Sequence, residues 1–419
     1  MAALFRATFT PETCKNIYLL RAPVRISRLY TRNDSHRQYH SSILISTSIL
    51  PRFRRRQLSQ LSPHRRTFTT SPPNFSTSKF SYGIAASFTA KDRRYNPKTN
   101  VFHFDPTNAI VARRKDKRTR PDSGQDAFFV SKVGETSDVA LGIADGVGGW
   151  VDSGVDPADF AHGICDYMAD TAYTYSPSPD DEKSLPLSAR ALMQTGFERI
   201  CDDRSVRAGG STACVGIARA DGTLEVANLG DSGFVQLRLN AIHNYSEPQT
   251  HAFNTPYQLS IVPKKILAQA AAFGGMQLCD FPKDANVSSH KLRHGDVLVF
   301  ASDGVWDNLS SQDILRIVSR LMTSAQAWEY ADDGIRVGKQ LRQFTFVDGP
   351  HTPETNEIHT LQSFLAVGIT GEAKAASVNT KKDGPFAKEV QRYYPHERYH
   401  GGKVDDICVL VIVVVEDGK

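Results

Sequence analysis

From about residue 120 onward, apolar positions recur with two different periods. AFFVSKV (127–133) and VALGIA (139–144) are short β-rich runs, and the polar GETSD between them predicts a hairpin. In ADFAHGICDYMADTAY (158–173), Phe160, Ile164, Tyr167, Met168 and Ala172 fall at helical spacing behind Pro157, and LSARALMQTGFERI (187–200) fits a second helix. TACVGIARA, TLEVANLG and FVQLRL (212–239) predict three antiparallel strands joined by ADG and DSG turns. DVLVFASD (296–303) is a further strand, and SSQDILRIVSRLM (310–322) is an amphipathic helix opened by a Ser310–Asp313 capping box. Residues 345–370 carry no period and a helix is expected around 373–394. ICVLVIVVV (407–415) closes the chain as a central strand, by its length and β-branching.

Strands that come mainly as hairpins, with helices between groups of them, predict an α+β fold in which antiparallel sheets are covered by helices. No boundary divides the chain beyond residue 110. Residues 111–419 therefore read as one domain, 81–110 as a linker and the start of that domain, and 1–80 as a leader. No stretch reaches the ~18 to 20 uninterrupted apolar residues that a membrane span requires.

Charge changes the picture of the leader. The whole chain carries a formal +5, but residues 1–80 hold 14 Lys and Arg against two acids, Glu12 and Asp34. That segment is +12 and the remainder −7. Arg-rich, Ser-rich, acid-poor N-termini have the composition of mitochondrial transit peptides, and YLLRAPVRISRLY (18–30) interleaves aliphatics with arginines as an amphipathic import helix does. The leader is thus expected to engage the import machinery and to be processed near Arg66–Ser71, with the matrix favoured over the intermembrane space. The alternative is a basic tail for nucleic acid or acidic lipid, which rests on these residues alone. Six cysteines show no CxxC and no disulfide-like spacing, so they read as buried small hydrophobes.

Aspartates stand at the ends of the predicted strands. Asp126 opens one in SGQDAFFV, Asp145 closes one in GIADGVGGW, and Asp303 closes another in LVFASDGVWD. Asp405 and Asp406 precede the last strand in GGKVDDICVL, and Asp231 lies in the turn NLGDSGF. Strand ends let a sheet aim side chains rigidly at one point. Carboxylates gathered there repel one another unless a divalent cation neutralises them, and oxygen donors without His or Cys suit Mg²⁺ or Mn²⁺. Gly146 and Gly304 are expected to let the backbone bend sharply after each Asp, and a carbonyl to approach an ion. Trp150 and Trp306 read as packing anchors beneath. Each Asp-Gly taken alone is an ordinary turn, D-S-G at 231–233 is a good hairpin turn, and GGST (209–212) a loop into a strand. DGVGGW is not a dinucleotide fingerprint, because Val151 stands where GxGxxG needs glycine.

Taken together, GQDAFFV, GIADGVGGW, GGSTACVGIA, NLGDSGFVQLR, LVFASDGVWDNL and GGKVDDICVLVIV resemble, in order and over residues 120–415, the metal-dependent type 2C protein phosphatases. The DGVGGW form, the GPFAKEVQRYY…GGKVDD segment and the leader resemble the mitochondrial branch of that family. The resemblance implies a four-layer sandwich of two antiparallel β-sheets flanked by α-helices. It implies a monomeric serine/threonine phosphatase acting on phosphoserine and phosphothreonine proteins, with no nucleic acid and no membrane span. Carried over, Asp145 bridges two Mg²⁺ or Mn²⁺ ions with the Gly146 carbonyl on one of them, and Asp303 and Asp405 hold the other. Asp126 acts through water, and Asp231 with Asp307 matches the positions of a weaker third ion; Asp406, where the family often has Asn, is adjacent. Asp145 and Asp303 are the residues on which turnover would depend. Water shared by two ions about 3.5 to 4 Å apart would attack phosphorus in line.

The chain departs from that pattern at three places. Val147 stands where many members carry a His that protonates the leaving oxygen, and His162 nearby reads as an ordinary helix residue. The phosphate-binding arginine aligns near Pro121, beside Arg118 and Arg120, and Gln125 replaces an acid. The competing reading is a non-catalytic phosphatase-fold scaffold that binds a phosphoprotein partner, with 241–290 and 345–400 as surface loops that choose it.

Overall fold

The computed structural model describes residues 80–105, 117–176, 186–272, 279–346 and 360–418, apart from the side chains of 269–272. The leader, its expected processing site, and 347–359 of the stretch expected to lack a period lie outside the described residues.

Eleven strands build two antiparallel sheets. They are β1 (Phe80–Thr89), β2 (Val101–His103), β3 (Asp126–Lys132), β4 (Val139–Asp145), β5 (Ala213–Ala218), β6 (Thr223–Leu229), β7 (Gly233–Arg238), β8 (Ala241–Tyr245), β9 (Asn286–Lys291), β10 (Val297–Ala301) and β11 (Ile407–Glu416). One sheet runs β2-β1-β11-β10-β7-β8 and the other β9-β6-β5-β4-β3. Five helices matter here: α1 (Pro157–Tyr173), α2 (Ala189–Asp202), α3 (Ser311–Ser324), α4 (Leu361–Ser377) and α5 (Pro385–Tyr393).

The period-2 alternation of strand side chains sorts the core into layers. Along β11, Cys408, Leu410, Ile412 and Val414 point into the space between the sheets, where they meet Leu141, Ile143, Val226 and Phe300. Val409, Val411, Val413 and Val415 point the other way, onto Ile314, Val318, Leu365 and Ile369 of α3 and α4. The outer face of the second sheet, with Phe129, Val215 and Ile217, is covered by Phe160, Ile164, Leu192 and Met193 of α1 and α2. Because β11 is buried on both faces, it reads as an unbroken apolar run. The helix–sheet–sheet–helix layering is the four-layer α+β sandwich that the resemblance implies.

Local signals hold where they are chemical. Asp156 caps α1 by accepting from the Ala158 N–H, with Pro157 at the first position. Ser310 and Asp313 form the expected capping box of α3. Four expectations change. The D-S-G segment is no hairpin: β6 and β7 lie in different sheets, so residues 230–232 carry the chain across the sandwich. The expected helix at 373–394 is two helices, α4 and α5, separated between Ser377 and Pro385, and α4 starts at Leu361, inside the stretch 345–370 expected to carry no period. Residues 81–110 are no linker at their start, since β1 pairs with β11 over its whole length, from Phe80 opposite Glu416 to Thr89 opposite Ile407. Nor are 241–290 and 345–400 only loops, because β8 and β9 are edge strands of the two sheets and α4 and α5 occupy most of 361–393. Among the described residues no helix is long and apolar enough to cross a membrane.

Candidate functional site

The sheet registers bring the acidic strand ends to one place. Asp126 and Asp145 face each other as the first pair of β3 and the last of β4. In the other sheet, Ala301 at the end of β10 pairs with Gly233 at the start of β7 and with Val409 near the start of β11. Asp231, Asp303 and Asp405 therefore all fall just beyond that same end. A hydrogen bond ties the two ends together: Ser302 Oγ donates to Asp126 Oδ2 at 2.6 Å, and the same hydroxyl accepts from the Cys408 N–H at 3.1 Å.

Backbone contacts fix the segments that carry Asp145 and Asp303. Thr212 Oγ1 accepts from the Asp145 N–H at 3.2 Å and the Thr212 N–H donates to the Asp145 carbonyl at 2.9 Å. The Val147 N–H donates to Gly210 at 3.0 Å, so GGST acts as a clamp on the DGV segment rather than as a loop alone. Gly209–Ser211 is a short strand paired with Leu259–Ile261. Asp303 opens the single helical turn Asp303–Trp306, and Asp307 follows it. Trp150 is buried with its indole N–H on Gln258, and Trp306 is half-buried with its own on the Ala301 carbonyl; both anchor packing, as expected.

Electrostatic coupling shows how close the acids are. Burial, reinforced by neighbouring aspartates, pushes Asp126, Asp145 and Asp405 above the usual carboxylate range. Burial and Asp303 raise Asp231 to about 7. Burial likewise raises Asp307. Burial acts in the same direction on Asp303, but the Lys403 ammonium together with hydrogen bonds from Asp145 and Asp307 outweighs it and holds that carboxyl low. Asp126 Oδ1 is buried without a hydrogen-bond partner. As they stand, no three His, Cys, Asp or Glu side chains among the described residues close into a cage around an ion. The donor set is all oxygen, with one buried carboxylate oxygen unsatisfied, and that chemistry fits a hard divalent cation.

Lys403, Ser302 and Asn308 were not singled out in the sequence. Lys403 Nζ lies 2.7 Å from Asp303, 2.5 Å from Asp307 and 3.2 Å from Asp405. Its only sequence signal is its place in GGKVDD. Asp406, buried, accepts from the Lys91 N–H at 2.7 Å and the Gln125 N–H at 3.0 Å, and pairs with Lys91 Nζ at 3.3 Å. It thus fastens the end of β1 and the approach to β3 against the segment before β11 that carries Asp405. Ser302, Thr212 and Asn308 are the other supports. Arg120, beside the position expected for a phosphate-binding arginine, is paired with Asp159 at 2.9 Å. It lines an open cleft of about 650 Å³ with Lys91, Lys117, His162 and Asp406. The two glycines are not there for the sharp bend expected of them, because neither Gly146 nor Gly304 has positive φ. They are there for close approach: a Cβ on Gly304 would lie 1.9 Å from the Asp406 carbonyl oxygen, and one on Gly146 2.9 Å from that of Gln125.

Comparison with known proteins places this arrangement. The protein phosphatase 2C family matches residues 115–344. The chain is 29% identical over 353 residues to the mitochondrial protein phosphatase 2C homolog 7 of Saccharomyces cerevisiae, covering 84% of this chain and 92% of that one. It is 32% identical over 297 residues to the protein phosphatase PTC7 homolog fig of Drosophila ananassae, covering 71% and 74%. Among solved structures, the photosystem II phosphatase PBCP shares the fold, with a TM-score of 0.50 and 21% identity over 80% of this chain and 98% of that one.

Proposed function

Because the chain belongs to the protein phosphatase 2C family, we propose that it hydrolyses phosphoserine and phosphothreonine in mitochondrial proteins with Mg²⁺ or Mn²⁺ held at the acidic sheet ends. It is a serine/threonine protein phosphatase. The observation that supports the metal reading is the packing of Asp126, Asp145, Asp231, Asp303 and Asp405 at one end of both sheets, where burial and mutual repulsion resist ionisation and a cation would offset both.

In this reading Asp145, the Gly146 carbonyl, Asp303 and Asp405 hold the ions, and Asp126 acts through water. Bound there, divalent ions lower the pKa of water towards neutrality and offset charge on the phosphoryl oxygens. The chain's own part is to fix the donors. Thr212 and Gly210 hold the Asp145–Val147 backbone, and Ser302 orients Asp126. Position 147 supplies no proton donor to the leaving alcohol, since its side chain is an alkyl group. Arg120 serves the fold through Asp159 in this arrangement, and the cleft it lines borders the site at Asp406.

The test is hydrolysis of a phosphothreonine peptide by the purified protein. Turnover is expected with Mn²⁺ or Mg²⁺ and none with excess EDTA. Metal-independent turnover would overturn the mechanism, and no turnover by folded protein under any condition would favour the phosphoprotein-binding scaffold.

Residues 1–80 are proposed to direct the chain to the matrix, on their +12 charge and on the mitochondrial designation of the yeast relative. Fused to a fluorescent protein, they are expected to concentrate it in mitochondria; a diffuse cytosolic signal would refute the leader reading.

A further inference from the structure

Lys403 stands inside the acidic cluster, where a surface lysine has no reason to be. Its ammonium lies within ion-pair distance of three carboxylates, at 2.7 Å from Asp303, 2.5 Å from Asp307 and 3.2 Å from Asp405, and its side chain is only 16% exposed. The backbone that delivers it is fixed from both sides. The Lys403 N–H donates to Asn308 Oδ1 at 2.9 Å, and Asn308 Nδ2 donates to the carbonyls of Lys403 and Gly304 at 2.8 and 2.9 Å. Asn308 thereby locks position 403 to the helical turn that carries Asp303 and Asp307.

The approach is as constrained as the end point. Gly401 has φ +93° and donates its N–H to Asp383, while a Cβ on Gly402 would lie 2.1 Å from the Ala376 carbonyl oxygen. The ring of Phe386 lies 5.0 Å from the ammonium, a cation–π contact. A lysine held by so many fixed partners is a built element of the site.

We propose that Lys403 is a resident cation that fills the place between Asp303 and Asp307 where a further divalent ion would otherwise bind, limiting the centre to two ions. This rests on the reading of the acidic cluster as a metal centre. An ammonium and a divalent ion cannot share the same carboxylate oxygens at these distances without strong repulsion in a partly desolvated site. Asp307, whose carboxylate already accepts from Lys403, then serves as the lysine's partner and not as an ion ligand. Lys403 is a positioning residue: it pairs with Oδ2 of Asp303 and Oδ2 of Asp405 and leaves Oδ1 of each to an ion on the other side. It also keeps a fixed positive charge beside the ions, where a phosphate dianion must arrive.

The experiment counts Mn²⁺ bound per folded chain by isothermal titration calorimetry, checked by the electron paramagnetic resonance signal of free Mn²⁺. Wild type is expected to bind two ions, Lys403→Met three, and Lys403→Arg, which keeps the charge, two. In an otherwise wild-type chain, Asp307→Asn is expected to leave the count at two. This second variant keeps the test decisive if Lys403→Met does not fold. A wild-type count in folded Lys403→Met, or the loss of one ion in Asp307→Asn, would overturn the proposal. Wild type that binds no Mn²⁺ would instead remove the metal centre itself, a failure of the functional reading that the variants distinguish from a failure of this one.

Discussion

Replacing Asp303 by asparagine is expected to reduce phosphopeptide turnover about a thousandfold, because an interaction worth several kcal/mol in the transition state is being removed. The substitution is nearly isosteric and alters charge alone. Burial raises Asp126, Asp145, Asp231, Asp307 and Asp405, whereas at Asp303 burial is outweighed by Lys403 at 2.7 Å together with hydrogen bonds from Asp145 and Asp307, which hold its carboxyl low. It is therefore the acid best prepared to meet an ion. The fold should tolerate the change, since a charge leaves a region crowded with like charges, and Lys403 keeps Asp307 and Asp405 as partners. The measurement pairs kcat at saturating Mn²⁺ with the thermal midpoint of the metal-free protein. A large loss of kcat at an unchanged midpoint supports Asp303 as an ion ligand. Unchanged turnover would remove it from the site, and collapse of the midpoint would make its role structural.

What the sequence revealed depended on how local the physics is. The alternation of Cys408, Leu410, Ile412 and Val414 against Val409, Val411, Val413 and Val415 is written into eight consecutive residues, so a strand buried on both faces is visible. The Ser310 cap is chemistry within one turn and was equally plain. Strand β1 was hidden because FSYGIAASFT has few β-branched residues; its small side chains answer to neighbours far away in sequence. A Cβ on Gly83 would lie 2.2 Å from the methyl of Thr345. The crossing at Asp231 was hidden for a related reason. D-S-G is compatible with a hairpin, and only the pairing of β7 with β10 sends the chain to the other sheet. The acidic strand ends could be listed from the sequence, but Lys403 among them could not. Nothing in periodicity distinguishes an ammonium aimed inward from one in solvent, and its position depends on Asn308, 95 residues away.

Alanine at Gly304 is expected to destabilise the protein by roughly 3 kcal/mol, the upper part of the usual overpacking range, and to abolish turnover with it. The sign is what makes the experiment informative. Gly304 lies in the helical turn Asp303–Trp306 and lacks positive φ, so helix propensity alone favours alanine by about 1 kcal/mol. Opposing that gain, the new methyl would meet the Asp406 carbonyl oxygen at 1.9 Å and its carbon at 3.0 Å. Both are backbone atoms of the segment that carries Asp405, and backbone cannot swing aside as a flexible side chain can. Relief requires the 405–406 segment to move away from the turn, which separates Asp405 from Asp303 and draws Asp406 from the Lys91 and Gln125 N–H groups. Gly149, in the glycine pair of GVGGW, is the control: nothing lies within 4 Å of a Cβ there, so its alanine variant should remain within about 0.5 kcal/mol of wild type. Urea midpoints of the two variants decide between the explanations. A stabilised Gly304→Ala would mean that the turn only needs to be helical. A destabilised one means that each Asp-Gly pair places an acid where its own backbone can lie against a neighbouring strand end, at Gly304 against Asp406 and at Gly146 against Gln125.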